Sequence, residues 1–211
     1  LLDTIDAEIN DKRTYATIRC KDVMCAEELC SIKKYGYRED AMKITPESAA
    51  KAYEELLRTA RVEIMFEGCG DPTLAKDIFA QKFAGVKREP IELSRSLVKA
   101  QQGAVKEETE RMEVKQGKLV MGFRVEGIED YRRMNMARIT FALFGGTANS
   151  LLFKNVREKM SLCYYCSSGY DRSNSIMMVS SGVEAENAQK ARDEVLHQLE
   201  MLKNGEFPQY E

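Results

Sequence analysis

Residues 144–170 read F-G-G-T-A-N-S-L-L-F-K-N-V-R-E-K-M-S-L-C-Y-Y-C-S-S-G-Y. The glycine pair Gly145-Gly146 is the composition of a helix end or a loop. Asn149 or Ser150 then caps a short helix, on which Leu152, Val156 and Met160 recur every fourth residue. Leu162–Tyr170 follows as a strand rich in aromatic and small residues. A helix feeding directly into a strand, with an arginine near the helix end and tyrosines at the strand start, is the unit around which the rest of the chain arranges itself.

Downstream, Asp171-Arg172-Ser173-Asn174 has turn composition, and Ser175–Val183 returns as a second strand, so the pair reads as a hairpin. From about Ala185 to Lys203 a helix carries Ala188, Ala191, Val195, Leu199 and Leu202 in one stripe, and Asn204-Gly205 stops it. Upstream, Lys118–Val125 is strand-like and Glu129–Phe144 helical. Residues 85–117, with Lys106–Arg111 almost entirely charged, form a connector or exposed edge. Before them, Asp71 caps a helix bearing Leu74, Ile78, Phe79 and Phe83. Arg61–Glu67 alternates Val62, Ile64 and Phe66 as a half-buried strand does, and Thr45-Pro46 opens a helix with Ala49, Tyr53, Leu56 and Leu57 on one face. Residues 1–34 are helical in two or three pieces, ending near Gly36. The order predicts an α+β fold: a two-layer sandwich with a mixed or antiparallel sheet and helices on one face. Both ends fall abruptly, as in a piece of a longer protein.

Thirty-two basic residues face 34 acidic ones, a formal charge of −2, so nothing advertises a nucleic-acid surface. The longest apolar runs are too short to cross a bilayer. Six cysteines without a secretion signal fit reduced thiols in the cytoplasm. There is one histidine, His197, and so no partner for a histidine-based metal site; a surface position is the plain reading. Cys163-x-x-Cys166 could be a redox or metal pair, but three residues apart on a regular strand they point to opposite faces, which favours inert thiols. Cys20, Cys25 and Cys30 stand five apart, about 140° per step on a helix, and are weak as ligands for that reason. No phosphate-binding glycine loop, nucleophile elbow or serine or cysteine triad is present.

Gly145-Gly146, Asn149-Ser150, Leu152-Phe153, Val156-Arg157-Glu158 and Tyr164, seven residues after the arginine, together resemble the second domain of the insulinase (pitrilysin) family of zinc peptidases. Thr45-Pro46 with its helix, Val62–Phe66 and Gly70-Asp71 are similar to the segment closing that family's first domain. The resemblance implies three parts: 1–86 closing a first peptidase-like domain, 87–117 a connector, and 118–211 opening a second, inactive one. The family's H-x-x-E-H zinc motif is absent here. The resemblance therefore implies no metal in this chain, and zinc on a separate zinc-bearing insulinase-family subunit. Arg157 and Tyr164 would be catalytic from the opposite half, stabilising the oxyanion of a peptide substrate, and Gly145 and Gly146 would handle that substrate. The alternatives are a non-catalytic structural or partner-binding subunit of the same fold, linked by resemblance to elongation factor P modification, and an independent module built on Cys163 and Cys166.

Overall fold

The computed structural model of the chain describes residues 1–26, 28–92, 104–125 and 130–206. They fall into two compact units: Leu1–Gly36 with Ser96–Glu211, and Tyr37–Arg95. One boundary lies inside the 87–117 connector. The other follows Gly36, whose φ of +73° is the left-handed conformation that ends a helical region.

Among the described residues, the larger unit is built on three antiparallel strands, β1 (Gly117–Arg124), β2 (Cys163–Asp171) and β3 (Ile176–Val183), in the order β1-β3-β2. The hairpin joining β2 to β3 closes where the sequence has its turn residues. Asp171 Oδ1 accepts the N–H groups of Ser173 at 3.0 Å and Asn174 at 3.3 Å, a side chain standing in for a backbone turn. Strand alternation then sends Met177, Val179 and Val183 to one face, with Leu119, Met121 and Phe123 of β1 beside them. Against this face packs a helical layer: α7 (Ala188–Asn204) and two π-helical segments, Ala142–Gly146 and Leu152–Lys159, the first continuing α6 (Tyr131–Phe141). Phe144, Leu152, Val156, Ala191 and Val195 are buried there, each large side chain worth roughly 1.5–3 kcal/mol of transfer free energy. The whole α7 stripe predicted by spacing faces this core, and Gly205, at φ +74°, ends the helix.

The opposite face carries a second cover. After the short helix α1 (Leu2–Ala7), Asp11 caps α2 (Lys12–Met24) by accepting the N–H groups of Arg13 and Thr14. Along it, Cys20 and Met24 lie so close to β1 that a Cβ at Gly122 would stand 2.7 Å from Met24 Sδ. At the start of α2, the Arg13 guanidinium sits 4.2 Å from the Tyr165 ring centroid and donates to Ser167 Oγ at 3.2 Å. The expected α+β sheet-and-helix layering holds, and α2 adds helix to the face the sequence reading left bare.

The described part of the connector is not free chain. Arg19 donates to Glu108 and Glu110, each at 2.6 Å, and Tyr15 donates to Glu110 at 2.9 Å. Arg192 of α7 pairs with Glu107 at 2.6 Å. The run of like-looking charges is therefore a strap fastened by ion pairs; its continuation at 93–103, like the first residue of the expected 129–144 helix, lies outside the described residues.

The smaller unit contains α3 (Arg38–Ala41), α4 (Pro46–Thr59) and α5 (Pro72–Phe83). Thr45 and Ser48 form a reciprocal capping box around Pro46, and Asp71 caps α5 by accepting the Thr73 N–H at 2.8 Å. Arg88 donates to the carbonyls of Leu57 and Ala60, satisfying the open end of α4. The strand expected at Arg61–Glu67 does not form. Among the described residues no neighbouring strand completes a ladder with it. Val62, Ile64 and Phe66 instead line a cleft of about 620 Å³ with Phe79 and Phe83.

Candidate functional site

The helix that carries Arg157 is wound wide. Met160 N–H donates to Asn155 O, five residues back, at 3.1 Å, the hydrogen-bond pattern of a π-helix. Such segments are rare and concentrate at functional sites. Of the two cap candidates, Ser150 serves: its hydroxyl accepts the Phe153 N–H at 3.4 Å. Leu152 and Val156 anchor the segment in the core. Arg157, one residue beyond Val156, is half-buried, its guanidinium 4.4 Å from the Phe153 ring centroid, a cation–π contact on its own helix.

Tyr164 owes its position to a fault in the ladder. Cys163 pairs with Val183 and Tyr165 with Gly182, so Tyr164 is the extra residue of a β-bulge. Bulges re-aim side chains, commonly at sheet edges and beside active sites. Here, on edge strand β2, the bulge turns the Tyr164 ring outward, 76% exposed.

The same bulge overturns the expectation for the C-x-x-C pair. One inserted residue restores the parity of the strand, so Cys163 and Cys166 share the core face rather than lying on opposite ones. The neighbouring Cys166 thiol first, with Ser181 and the positive charge of Arg157, brings the Cys163 thiol down to about 7, against the opposing effect of burial. Cys163 and burial push Cys166 up. Arg157 lies within electrostatic reach of the start of β2, where Tyr164 also stands.

Gly145 and Gly146 end the first π-helical segment. Gly145 is buried, and a Cβ there would meet the backbone N and Oγ of Ser168 at 2.6 Å, so glycine is demanded by close packing on β2. Gly146 is exposed and borders a cleft of about 440 Å³ with Arg138, Phe141, Ser168, Tyr170 and Arg172; the Phe141 and Tyr170 rings stack at 4.4 Å. Along β2, Ser168 lies four residues from Tyr164, about 13 Å at the usual strand rise of about 3.3 Å per residue. The four residues singled out in the sequence therefore line one strand at two stations: Arg157 and Tyr164 at its start, the glycines further along.

His197 is exposed on α7. Among the described residues, the one close group of three or more metal-ligating side chains is Cys25, Glu28 and Cys30. It contains no histidine and cannot supply the histidine pair and glutamate of H-x-x-E-H, so the residues present do not fit the family's catalytic zinc. Spacing discounts these cysteines only where one helix runs through them. In fact α2 ends at Met24, the 140° step no longer applies, and a 3₁₀ turn at Leu29–Ser31 brings Cys30 back toward Cys25. Among the described residues no helix is long and apolar enough to cross a membrane.

A family model described as the peptidase M16 inactive domain matches residues 43–211. A Bacillus subtilis (strain 168) protein named "Probable inactive metalloprotease YmfF" is 30% identical over 209 residues, which is 98% of this chain and 48% of that protein. The chain thus spans about half the length of this curated relative. A conserved protein from Enterococcus faecalis V583 superposes with a TM-score of 0.85 at 25% identity, over 99% of this chain and 49% of that one. A peptidase M16 inactive domain from Pseudomonas fluorescens (TM-score 0.74, 20% identity, 96% and 50% of the two chains) and a protease from Helicobacter pylori (0.73, 15%, 97% and 51%) share the fold.

Proposed function

The chain belongs to the peptidase M16 inactive-domain family, and we propose that it works as the zinc-less half of a paired peptidase, binding peptide and completing in trans the site of a zinc-bearing relative. The observation that carries this reading is the bulge at Tyr164, which spends a ladder position to present a phenol to solvent beside the helix bearing Arg157. Amide hydrolysis develops negative charge on the carbonyl oxygen, and preorganised donors facing that charge lower the barrier once water is excluded. The phenol supplies an O–H donor and the guanidinium a fixed fork of N–H donors. The zinc, held by the partner, supplies the activated water. The cleft bordered by Gly146 would take a neighbouring part of the peptide. The segments 1–86 and 118–211 then close one peptidase-like domain and open the next, and the pair resides in the cytoplasm, where the free cysteines stay reduced.

A second reading is favoured by two observations: Arg157 rests on Phe153, and Gly145 is packed. On it, the domain is a structural or partner-binding subunit without catalytic contribution, associated with elongation factor P modification.

Co-purification from the source cell, followed by reading the partner's sequence for H-x-x-E-H, tests the pairing. Arg157→Ala and Tyr164→Phe in the assembled pair then decide the role. Loss of about 10²–10³ in turnover for each is expected if they are oxyanion donors. Unchanged turnover in an intact pair rejects the catalytic reading in favour of the structural one.

A further inference from the structure

At the root of α2, the ligand atoms of Cys25, Glu28 and Cys30 all lie within 4.8 Å of one another. Cys25 is fully buried, and Glu28 and Cys30 are half-buried. Cys30 Sγ stands 4.0 Å from Glu28 Oε2. From β1, Arg124 reaches across and engages both carboxylate oxygens of Glu28, with Nη1 to Oε2 at 3.2 Å and Nη2 to Oε1, and also donates to the Met24 carbonyl at 2.8 Å. The carboxylate is therefore fixed in orientation and faces two thiols.

We infer that Cys25, Glu28 and Cys30 form a binding site for a soft divalent cation of the zinc class, a clip closing the turn after α2 and tied to β1 through Arg124. Two sulfurs select a soft ion over calcium or magnesium, and the carboxylate makes a third ligand of a tetrahedron whose fourth position water can fill. Charge balances. Without metal, both thiols protonated, the Glu28 carboxylate and the Arg124 guanidinium sum to zero. Binding a divalent ion releases two thiol protons to solvent, and the total stays zero, so no net charge enters a half-buried place. Arg124 plays the orienting part that outer partners play around metal-bound carboxylates: it holds both Glu28 oxygens, and a remaining lone pair of one of them serves the ion.

The test uses the whole chain, fully reduced and stripped of metal, titrated with Co²⁺ and then Zn²⁺. The expected result is one Co²⁺ per chain, with sulfur-to-cobalt charge-transfer absorption and tetrahedral visible bands that Zn²⁺ abolishes. Cys25→Ser and Cys30→Ser remove the charge-transfer band. Arg124→Gln weakens binding by about 10–100-fold, and Glu28→Gln provides a second reading of the carboxylate should Arg124→Gln not fold. Cys163→Ser with Cys166→Ser binds like the wild type. No charge-transfer band, a band that survives Cys25→Ser, a band that disappears with Cys163 and Cys166, or a Cys25–Cys30 disulfide that persists under the reductant each overturns the site.

Discussion

Leu152 and Leu56 are both leucines on amphipathic helices, and they meet opposite fates. Leu152 is 0% exposed, in one core cluster with residues of β2, β3 and α7, whereas Leu56 on α4 is 58% exposed. The contrast extends to the units they belong to. Around the sheet, Phe144, Val179, Val183 and Val195 share one sealed core, while from 37 to 92 no residue is buried. Yet the helices of the smaller unit are capped at least as well as those of the larger one. Caps and spacing determine that a helix forms and which stripe is apolar; a core requires a second surface brought against that stripe, and only the sheet provides one here.

The widest separation is expected from truncating the two leucines. Leu152→Ala should cost about 2–5 kcal/mol, because a methylene-lined cavity opens in close-packed surroundings, and Leu56→Ala should stay within about 0.5 kcal/mol. Urea denaturation of the whole chain measures both. Equal losses would mean that α4 has a core partner after all, and the contrast would dissolve.

A finer cut compares the adjacent glycines. Gly145→Ala drives a methyl into the Ser168 backbone and should cost about 1–3 kcal/mol, whereas Gly146→Ala meets nothing closer than 3.4 Å and should remain within about 0.5 kcal/mol as a surface change. Thermal unfolding of the two variants resolves them; a mobile glycine loop would make them alike.

The smallest effect belongs to the strap. Hydrogen bonds from Arg19 first, and then Tyr15, hold the Glu110 carboxyl below the usual carboxylate range. A carboxyl depressed in the folded state contributes stability above its unfolded pKa and loses it as pH falls through the folded one. Arg19→Ala should therefore lower stability at neutral pH by no more than about 1 kcal/mol and flatten the acid side of the stability profile. An unchanged acid limb would show the strap to be energetically idle.

Much of this fold could be read from the chain. The Thr45 and Asp71 caps, the Asp171 turn, the α7 stripe and the stop at Gly205 all follow from local rules, and all appear. Three features could not be read, each because it depends on something outside its own segment. The segment 61–67 has strand periodicity, but a strand needs a neighbour. The charges of 106–111 read as solvated until Arg19 and Arg192, distant in sequence, are placed beside them. The bulge is a property of the pairing of β2 with β3, so neither the outward turn of Tyr164 nor the union of Cys163 with Cys166 is written in β2 alone. Of the candidate site, the family pattern singles out Arg157 and Tyr164, while the cysteines after α2 are hidden when helix is read through residue 34 although α2 ends at Met24.

The strand order β1-β3-β2 also sets a timetable. β1 bonds only to β3 among the described strands, and β3 is the last of the three to be synthesised. At about 5–20 residues per second, β1 must stay unpaired on the nascent chain for several seconds. During that interval α2, whose seat is β1, has nothing to lie on. The sheet can close only when the hairpin emerges, so the amino-terminal part of the larger unit is completed by its carboxy-terminal part.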